Sequence, residues 1–227
     1  TVEELTKHPL FSMQNPNKVR ALIGAFASAN TLRFHRPDGA GYRFVAAKVL
    51  ELDAFNPQIA VLTNISLDHK SMDELRQLFS DFVAKAQIAV LNLDNQETAA
   101  LARRAPSGVV ITFGLDDPGA EISATEIAPQ PSGVAFTAID RASGETSRIA
   151  LKMPGRHNVS NALAAITASK AAGVPFAAAA RALGEFSGVK RRLDFVGAAA
   201  GVSVIDDFAH NPDKIAASLR TLHEFPG

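Results

Sequence analysis

The chain has 227 residues, 47% of them hydrophobic, and its 23 basic and 23 acidic side chains leave no formal net charge. That length holds one large domain or two small ones, and zero net charge gives no long-range pull toward nucleic acid or an acidic membrane surface. Cysteine is absent, which excludes disulfides, thiolate metal sites and cysteine nucleophiles.

The stretch from Thr1 to about Phe55 reads as a short all-α segment. Thr1 and Glu4 have capping-box spacing, and Asn15-Pro16 opens a helical stripe of Leu22, Ile23 and Phe26. Asp38-Gly39-Ala40-Gly41 is a turn, after which Phe44, Val45, Val49, Leu52 and Phe55 continue at helical spacing. Glu3, Glu4 and Lys7 interrupt any secretory apolar run.

From Gln58 the pattern changes. Ile59 to Ile65 is an apolar strand, and Ser71 with Glu74 caps a helix reaching about Ala86. Ile88 to Leu93 is a second strand, Glu97 to Arg104 a short helix, and Val109 to Phe113 a third strand. Alternation of this kind predicts a parallel sheet with flanking helices. An antiparallel extension follows at 121–127, 133–139 and 147–153. Helices are expected at 160–172 and 175–183, punctuated by Gly173 and Pro175. After Arg192 a new unit starts, with a strand over 202–205 and a helix from Asn211-Pro212 to about His223. The chain stops one helix into that unit, so a truncation is expected there. The most apolar stretch, Asn161 to Leu183, carries Lys170, Pro175 and Arg181 and does not read as a membrane span. A cytoplasmic α/β protein is the expectation.

Four words in this sequence carry candidate chemistry. Asn64-Ile65-Ser66-Leu67-Asp68-His69 follows a strand's carboxyl end, where open α/β sheets bind ligands. Asp68 could equally just order the loop before Ser71. His157, Asn158 and Asn161 stand at the start of an alanine-rich helix, whose unpaired backbone donors suit a polar ligand. Ordinary capping by Asn158 or Ser160 is the plainer alternative. Lys190-Arg191-Arg192 is either solvated charge or an anion contact. Asp206 and Asp207 end a strand, and paired carboxylates there suit ribose hydroxyls, although the following helix is better capped by Asn211.

In this order these words resemble the second half of the nucleotide site of a Mur ligase, an enzyme that uses ATP to join a carboxylate to an amine in peptidoglycan precursors. The resemblance runs from about Gln58 to Gly227 and is nearest to the ligase acting on UDP-N-acetylmuramate, or to the recycling ligase that adds a tripeptide. It implies that His69 holds Mg2+, that His157, Asn158 and Asn161 bind adenine, that Arg192 contacts the ATP phosphates, and that Asp207 binds ribose. His69 and Arg192 would then be the catalytic residues. Phe208 stands where the family has tyrosine. The family's phosphate loop, Gly-x-x-Gly-Lys-Ser/Thr, is missing, since glycine is nowhere followed by lysine.

Residues 1 to about 60 resemble a different family. His8-Pro9-Leu10-Phe11, Asn15-Pro16-Asn17-Lys18-Val19-Arg20-Ala21-Leu22 and Asp38-Gly39-Ala40-Gly41-Tyr42 are similar to the carboxy-terminal helical domain of bacterial aminopeptidase N. That family's zinc word, His-Glu-x-x-His, does not occur. The two resemblances meet near Asn56-Pro57-Gln58, which implies a chimera: a helical segment at 1–57, an incomplete central-domain-like α/β part at 58–190, and the start of a carboxy-terminal domain at 191–227. The expected function is a ligase fragment, inactive for want of the phosphate loop. Its ligands would be nucleotide and, in the parent family, a UDP-muramyl substrate. The alternative is a non-catalytic peptidase module fused to an incomplete scaffold.

Overall fold

A computed structural model describes residues 31–35, 41–45, 57–67, 70–105, 109–130, 132–189, 191–209 and 212–224. The chain divides into two compact units, Thr1–Phe55 and Asn56–Gly227.

In the first unit the described residues form an antiparallel pair, β1 (Thr31–His35) and β2 (Gly41–Val45), with Leu32 opposite Phe44 and Phe34 opposite Tyr42. This corrects the all-α expectation for the segment. Leu32 and Phe34 alternate with Arg33 and His35, and Tyr42 and Phe44 flank Arg43. That two-residue period around an Asp-Gly word is hairpin chemistry, and it overrides the helical spacing read from Phe44 to Phe55. The expected helices on either side fall on residues outside those described.

The second unit is built on one six-stranded sheet of order β3-β4-β5-β6-β7-β8. Its strands are β3 (Ile59–Leu62), β4 (Ile88–Asn92), β5 (Val110–Phe113), β6 (Ile122–Gln130), β7 (Gly133–Asp140) and β8 (Thr146–Leu151). β3 to β6 pair in parallel, with Ile59 opposite Ile88 and Phe113 opposite Ile122, and β6 to β8 are antiparallel. Ile-Ala-Val-Leu occurs in both β3 and β4. Such unbroken apolar runs suit strands covered on both faces. α1 (Met72–Ala84) and α2 (Gln96–Arg104) are the crossovers. Ser71 and Glu74 make the expected capping box, worth about 1 kcal/mol.

α3 (Arg156–Ala171) lies across the sheet and buries Val159, Leu163 and Ile166 against Val90, Phe113, Ile122 and Phe136. It begins four residues earlier than the sequence suggested. Gly155, at φ 98°, turns the chain directly out of Pro154 into the helix. α4 (Phe176–Glu185) packs on β8 and on α3. Beyond it, β9 (Asp194–Ala199) and β10 (Val202–Asp206) form a hairpin, and α5 (Pro212–His223) follows. β9 was not expected. Its sign was Ala200-Gly201, both at positive φ, as a two-residue hairpin turn of the primed type needs. No helix among the described residues is long and apolar enough to cross a membrane.

Candidate functional site

The carboxyl ends of β3, β4 and β5 are tied together by two amide side chains and one carboxylate. Asn92, buried at the end of β4, donates from Nδ2 to the Thr63 carbonyl at 2.9 Å and accepts the Asp94 N–H at 3.0 Å. Asn95 accepts the Ile65 N–H at 3.2 Å and caps α2 through the Thr98 N–H at 3.1 Å. The Asp94 carboxylate gathers the N–H groups of Leu115, Asp116 and Asp117 after β5. This network fixes the loop leaving β3, where Asn64 is exposed. Asp68 and His69 lie outside the described residues, as do Lys190, His210 and Asn211. Among the described residues no group of three His, Asp or Glu side chains could hold a metal.

The start of α3 has no side-chain cap. The Asn158 N–H of its first turn already bonds the Gly155 carbonyl at 3.0 Å. An uncapped helix start suits an anion or a polar ligand. The Asn158 side chain does not cap this one. Buried in the first turn, it donates from Nδ2 to the Pro154 carbonyl at 2.7 Å, and its Oδ1 lies 3.4 Å from Nδ2 of Asn161. Asn161 is exposed. Arg156 pairs with Asp116, which joins this helix start to the loop after β5.

α5 closes on the same place. A Cβ at Gly155 would come within 2.4 Å of Thr221 Oγ1, so glycine is required on space as well as on φ. His157 Nδ1 lies 3.4 Å from the same hydroxyl, which donates to the Ala217 carbonyl. Burial pushes the His157 imidazole below its ordinary value. The carboxylates of Asp207 and Glu224 partly offset this, and Arg220 adds to it.

The third component is the turn over Arg191–Leu193 and the segment after β10. Both Asp207 oxygens accept backbone N–H groups, from Leu193 at 2.8 Å and Ala209 at 2.7 Å. The Phe208 N–H donates to the Arg191 carbonyl at 2.9 Å. The Phe208 ring lies under two guanidiniums, with Arg191 Cζ 5.0 Å and Arg192 Cζ 5.7 Å from its centroid. Arg191 also pairs with Asp206 at 3.5 Å. Arg191 and Arg192 are exposed, and two adjacent guanidiniums fit a polyphosphate.

Residues 191–227 match the family described as Mur ligase, glutamate ligase domain. The UDP-N-acetylmuramate–L-alanine ligase of Bradyrhizobium sp. (strain ORS 278) is 38% identical over 178 residues, which is 73% of this chain and 38% of that protein. About three quarters of this chain is homologous to Mur ligases. The corresponding ligase of Acidithiobacillus ferrooxidans is 35% identical over 212 residues, 86% of this chain and 44% of its own. MurF of Acinetobacter baumannii superposes with a TM-score of 0.69 at 27% identity, covering 79% of this chain and 40% of that one. UDP-N-acetylmuramate-alanine ligase of Thermotoga maritima gives 0.62 at 28% identity, covering 75% and 39%. The chain thus spans well under half the length of the ligases it matches. Residues 1–100 match a domain of unknown function (DUF3458_C) with ARM repeats, a match that runs past the junction expected near Asn56 and through β3 and α1.

Within the Mur ligase-like part, His157 and Asp207 are brought into each other's field across the contact of α3 with α5. Asn158 and Asn161 share a helix turn, and Arg192 stands with Asp207 through Phe208. The sequence reading missed Asn92, Asp94, Asn95 and Thr221. Asn92-Leu93-Asp94-Asn95 after an apolar strand was the available sign of the first three.

Proposed function

We propose that this chain is part of an ATP-dependent carboxylate–amine ligase of peptidoglycan precursor synthesis or recycling, and that by itself it does not turn over ATP. The observation that carries this reading is that Asp207, which holds the Arg191–Leu193 turn, lies in the electrostatic field of His157 at the uncapped start of α3, in a chain 38% identical over 178 residues to a UDP-N-acetylmuramate–L-alanine ligase. ATP, when bound, would supply the phosphoryl group that activates the substrate carboxylate. Arg192 would hold phosphate and offset charge developing there. Asn161 gives one amide N–H to Asn158 Oδ1 and keeps its Oδ1 and other N–H for adenine, while Asn158 braces the Pro154 carbonyl. His157 supports this turn. Asp207 retains lone pairs for a ribose hydroxyl beyond the two amides it accepts. His69 is proposed for Mg2+ on the resemblance alone. Such a protein would work in the cytoplasm on nucleotide and a UDP-muramyl substrate, with no nucleic-acid or membrane partner.

The inactivity follows from the missing phosphate loop, because no glycine-lysine pair exists to cradle the γ-phosphate. Titration of ATP and of adenosine, with and without magnesium, tests the reading. Weak adenosine binding, in the millimolar range and worth about 4 kcal/mol, is expected with no phosphate release. Stoichiometric phosphate release would overturn the inactivity, and no binding of either ligand would overturn the nucleotide site.

A second reading is favoured for the first unit. Residues 1–57 are proposed as a non-catalytic module of the aminopeptidase N type, joined to a central-domain-like part at 58–190 and a carboxy-terminal-domain start at 191–227. The ARM-repeat match supports it. Limited proteolysis is expected to cut first near Phe55, where the two units divide. Protection there up to global unfolding would show one cooperative body instead.

A further inference from the structure

We infer that Asp207 is a positioning residue whose carboxylate latches the Arg191–Leu193 turn and thereby fixes where the two guanidiniums stand. The turn needs a latch. Arg191 sits at φ 63° and Leu193 at φ 50°, the left-handed region that a Cβ disfavours. Two such residues astride one arginine persist only where surrounding contacts over-determine them. Two hydrogen bonds to the 207–209 segment do so, Leu193 N–H to Asp207 Oδ2 and Phe208 N–H to the Arg191 carbonyl, while Ala209 N–H to Asp207 Oδ1 orients the carboxylate within that segment. Those accepted by the carboxylate are charge-assisted, and so the stronger kind. Leu193 is buried, which pins the inner side of the turn.

The same segment also supplies the platform. Phe208 follows Asp207 directly, and its ring meets both guanidiniums. Asp206, just before, pairs with Arg191, and the Arg191 N–H bonds the Asp194 carboxylate at 3.3 Å. Asp206, Asp207 and Phe208 therefore act as one clip, in which Asp207 grips backbone and its neighbours grip side chains. A ribose ligand would be a second use of a carboxylate that the turn already occupies. The latch rests on geometry alone; what the guanidiniums meet rests on the ligase reading.

The test uses the full chain, Asp207→Ala, Asp207→Asn, and Asp207→Ala combined with Arg191→Gly. Amide hydrogen exchange at Leu193 and Ala209 is read by NMR, with Leu163 as control for the core. Tripolyphosphate, which has no ribose, is titrated into the wild-type chain and the Asp207 single variants. Asp207→Ala should speed exchange at both amides by about tenfold or more, as loss of a hydrogen bond to a charged group implies. It should weaken tripolyphosphate several-fold. Asp207→Asn, which keeps one acceptor oxygen, should fall between, and it decides the matter if the alanine variant does not fold. Arg191→Gly should restore part of the Leu193 protection by removing one left-handed cost. Unchanged exchange in Asp207→Ala with adenosine binding alone weakened would overturn the latch and leave a ribose ligand. Altered exchange in a protein that never binds tripolyphosphate would support the latch and count against the ligase reading.

Discussion

Asn95 grips Ile65 by both edges of its amide, accepting the Ile65 N–H at 3.2 Å and donating to the Ile65 carbonyl at 3.4 Å, across thirty residues of chain. The same Oδ1 caps α2 through the Thr98 N–H. One side chain thus sets both a helix start and the path of the loop leaving β3. Removing it strips a cap and two loop bonds together.

Asn95→Ala is expected to destabilise the second unit by about 1–2 kcal/mol, the usual loss for a cap. Urea unfolding measures it. Exchange at the Ile65 amide should rise by more than the global loss allows. Asn92→Ala frees the neighbouring Thr63 carbonyl, and the double variant should cost less than the sum, because the two amides hold one loop. Strict additivity would show two independent anchors.

Lys170 holds the joint between α3 and the antiparallel strands. Its Nζ lies 2.8 Å from Glu121 Oε1 and 2.8 Å from Asp140 Oδ2, close but poorly aligned for a hydrogen bond to the latter. Asp140 is 1% exposed. Burial pushes its carboxyl up, and Lys170, Ser143 and the Ala142 N–H more than reverse this, leaving it below the usual carboxylate range. Its stabilisation is therefore present at neutral pH and lost as pH falls below its ordinary value of 3.8 toward the folded one. Lys170→Met should cost about 1–3 kcal/mol at pH 7, less than a fully buried pair because the ammonium is partly solvated. It should also remove this acid-side loss. A variant as stable as the parent at pH 7 would mean that Asp140 is held by its backbone donors alone.

His157 gives a second pH dependence of the same sign. Its imidazole is held below the ordinary 6.5, so the fold favours the neutral ring. That contribution is whole above 6.5 and is lost as pH falls from there through the folded value. The contact of α3 with α5 should loosen on acidification, seen as faster exchange at the amides around Thr221. The carboxylates of Asp207 and Glu224 limit the effect, and Arg220 enlarges it. His157→Gln should flatten stability between pH 7 and 5. An unaltered slope in that variant would assign the dependence to another group.

What the sequence disclosed was local. The apolar runs of β3 and β4 and the Ser71–Glu74 box are short-range signals, and the antiparallel strands were placed to within a few residues because Gly133 and the 141–144 turn bracket them. The β1–β2 hairpin went unread because its apolar residues also satisfy a helical period once Val49 and Leu52 are counted. The site was legible as a set of words and not as contacts. Asn92 reaching Thr63, Asp94 gathering 115–117 and Thr221 meeting His157 join residues 21 to 64 positions apart. No periodicity encodes such pairs. The words also gave no sign that Asp207 and Asn158, read as ligand groups, each hold backbone as well.

Gly155→Ala is the sharpest probe of how the carboxy-terminal segment meets α3. Two separate objections stand against a methyl group there: φ of 98°, which L side chains rarely adopt, and Thr221 Oγ1 only 2.4 Å from the new Cβ. The first acts on the turn into α3, and the second on the docking of α5. Together they predict a loss of about 2–4 kcal/mol, combining backbone strain with overpacking. Thr221→Ala relieves only the second objection. In the Gly155→Ala background it should recover part of the loss, whereas alone it should destabilise slightly by freeing the Ala217 carbonyl and His157. The strain that remains in the double variant isolates the backbone share. Chemical denaturation of the four proteins gives the coupling energy. A coupling of zero would show that α5 does not press on Gly155, and that the glycine is required for its turn alone.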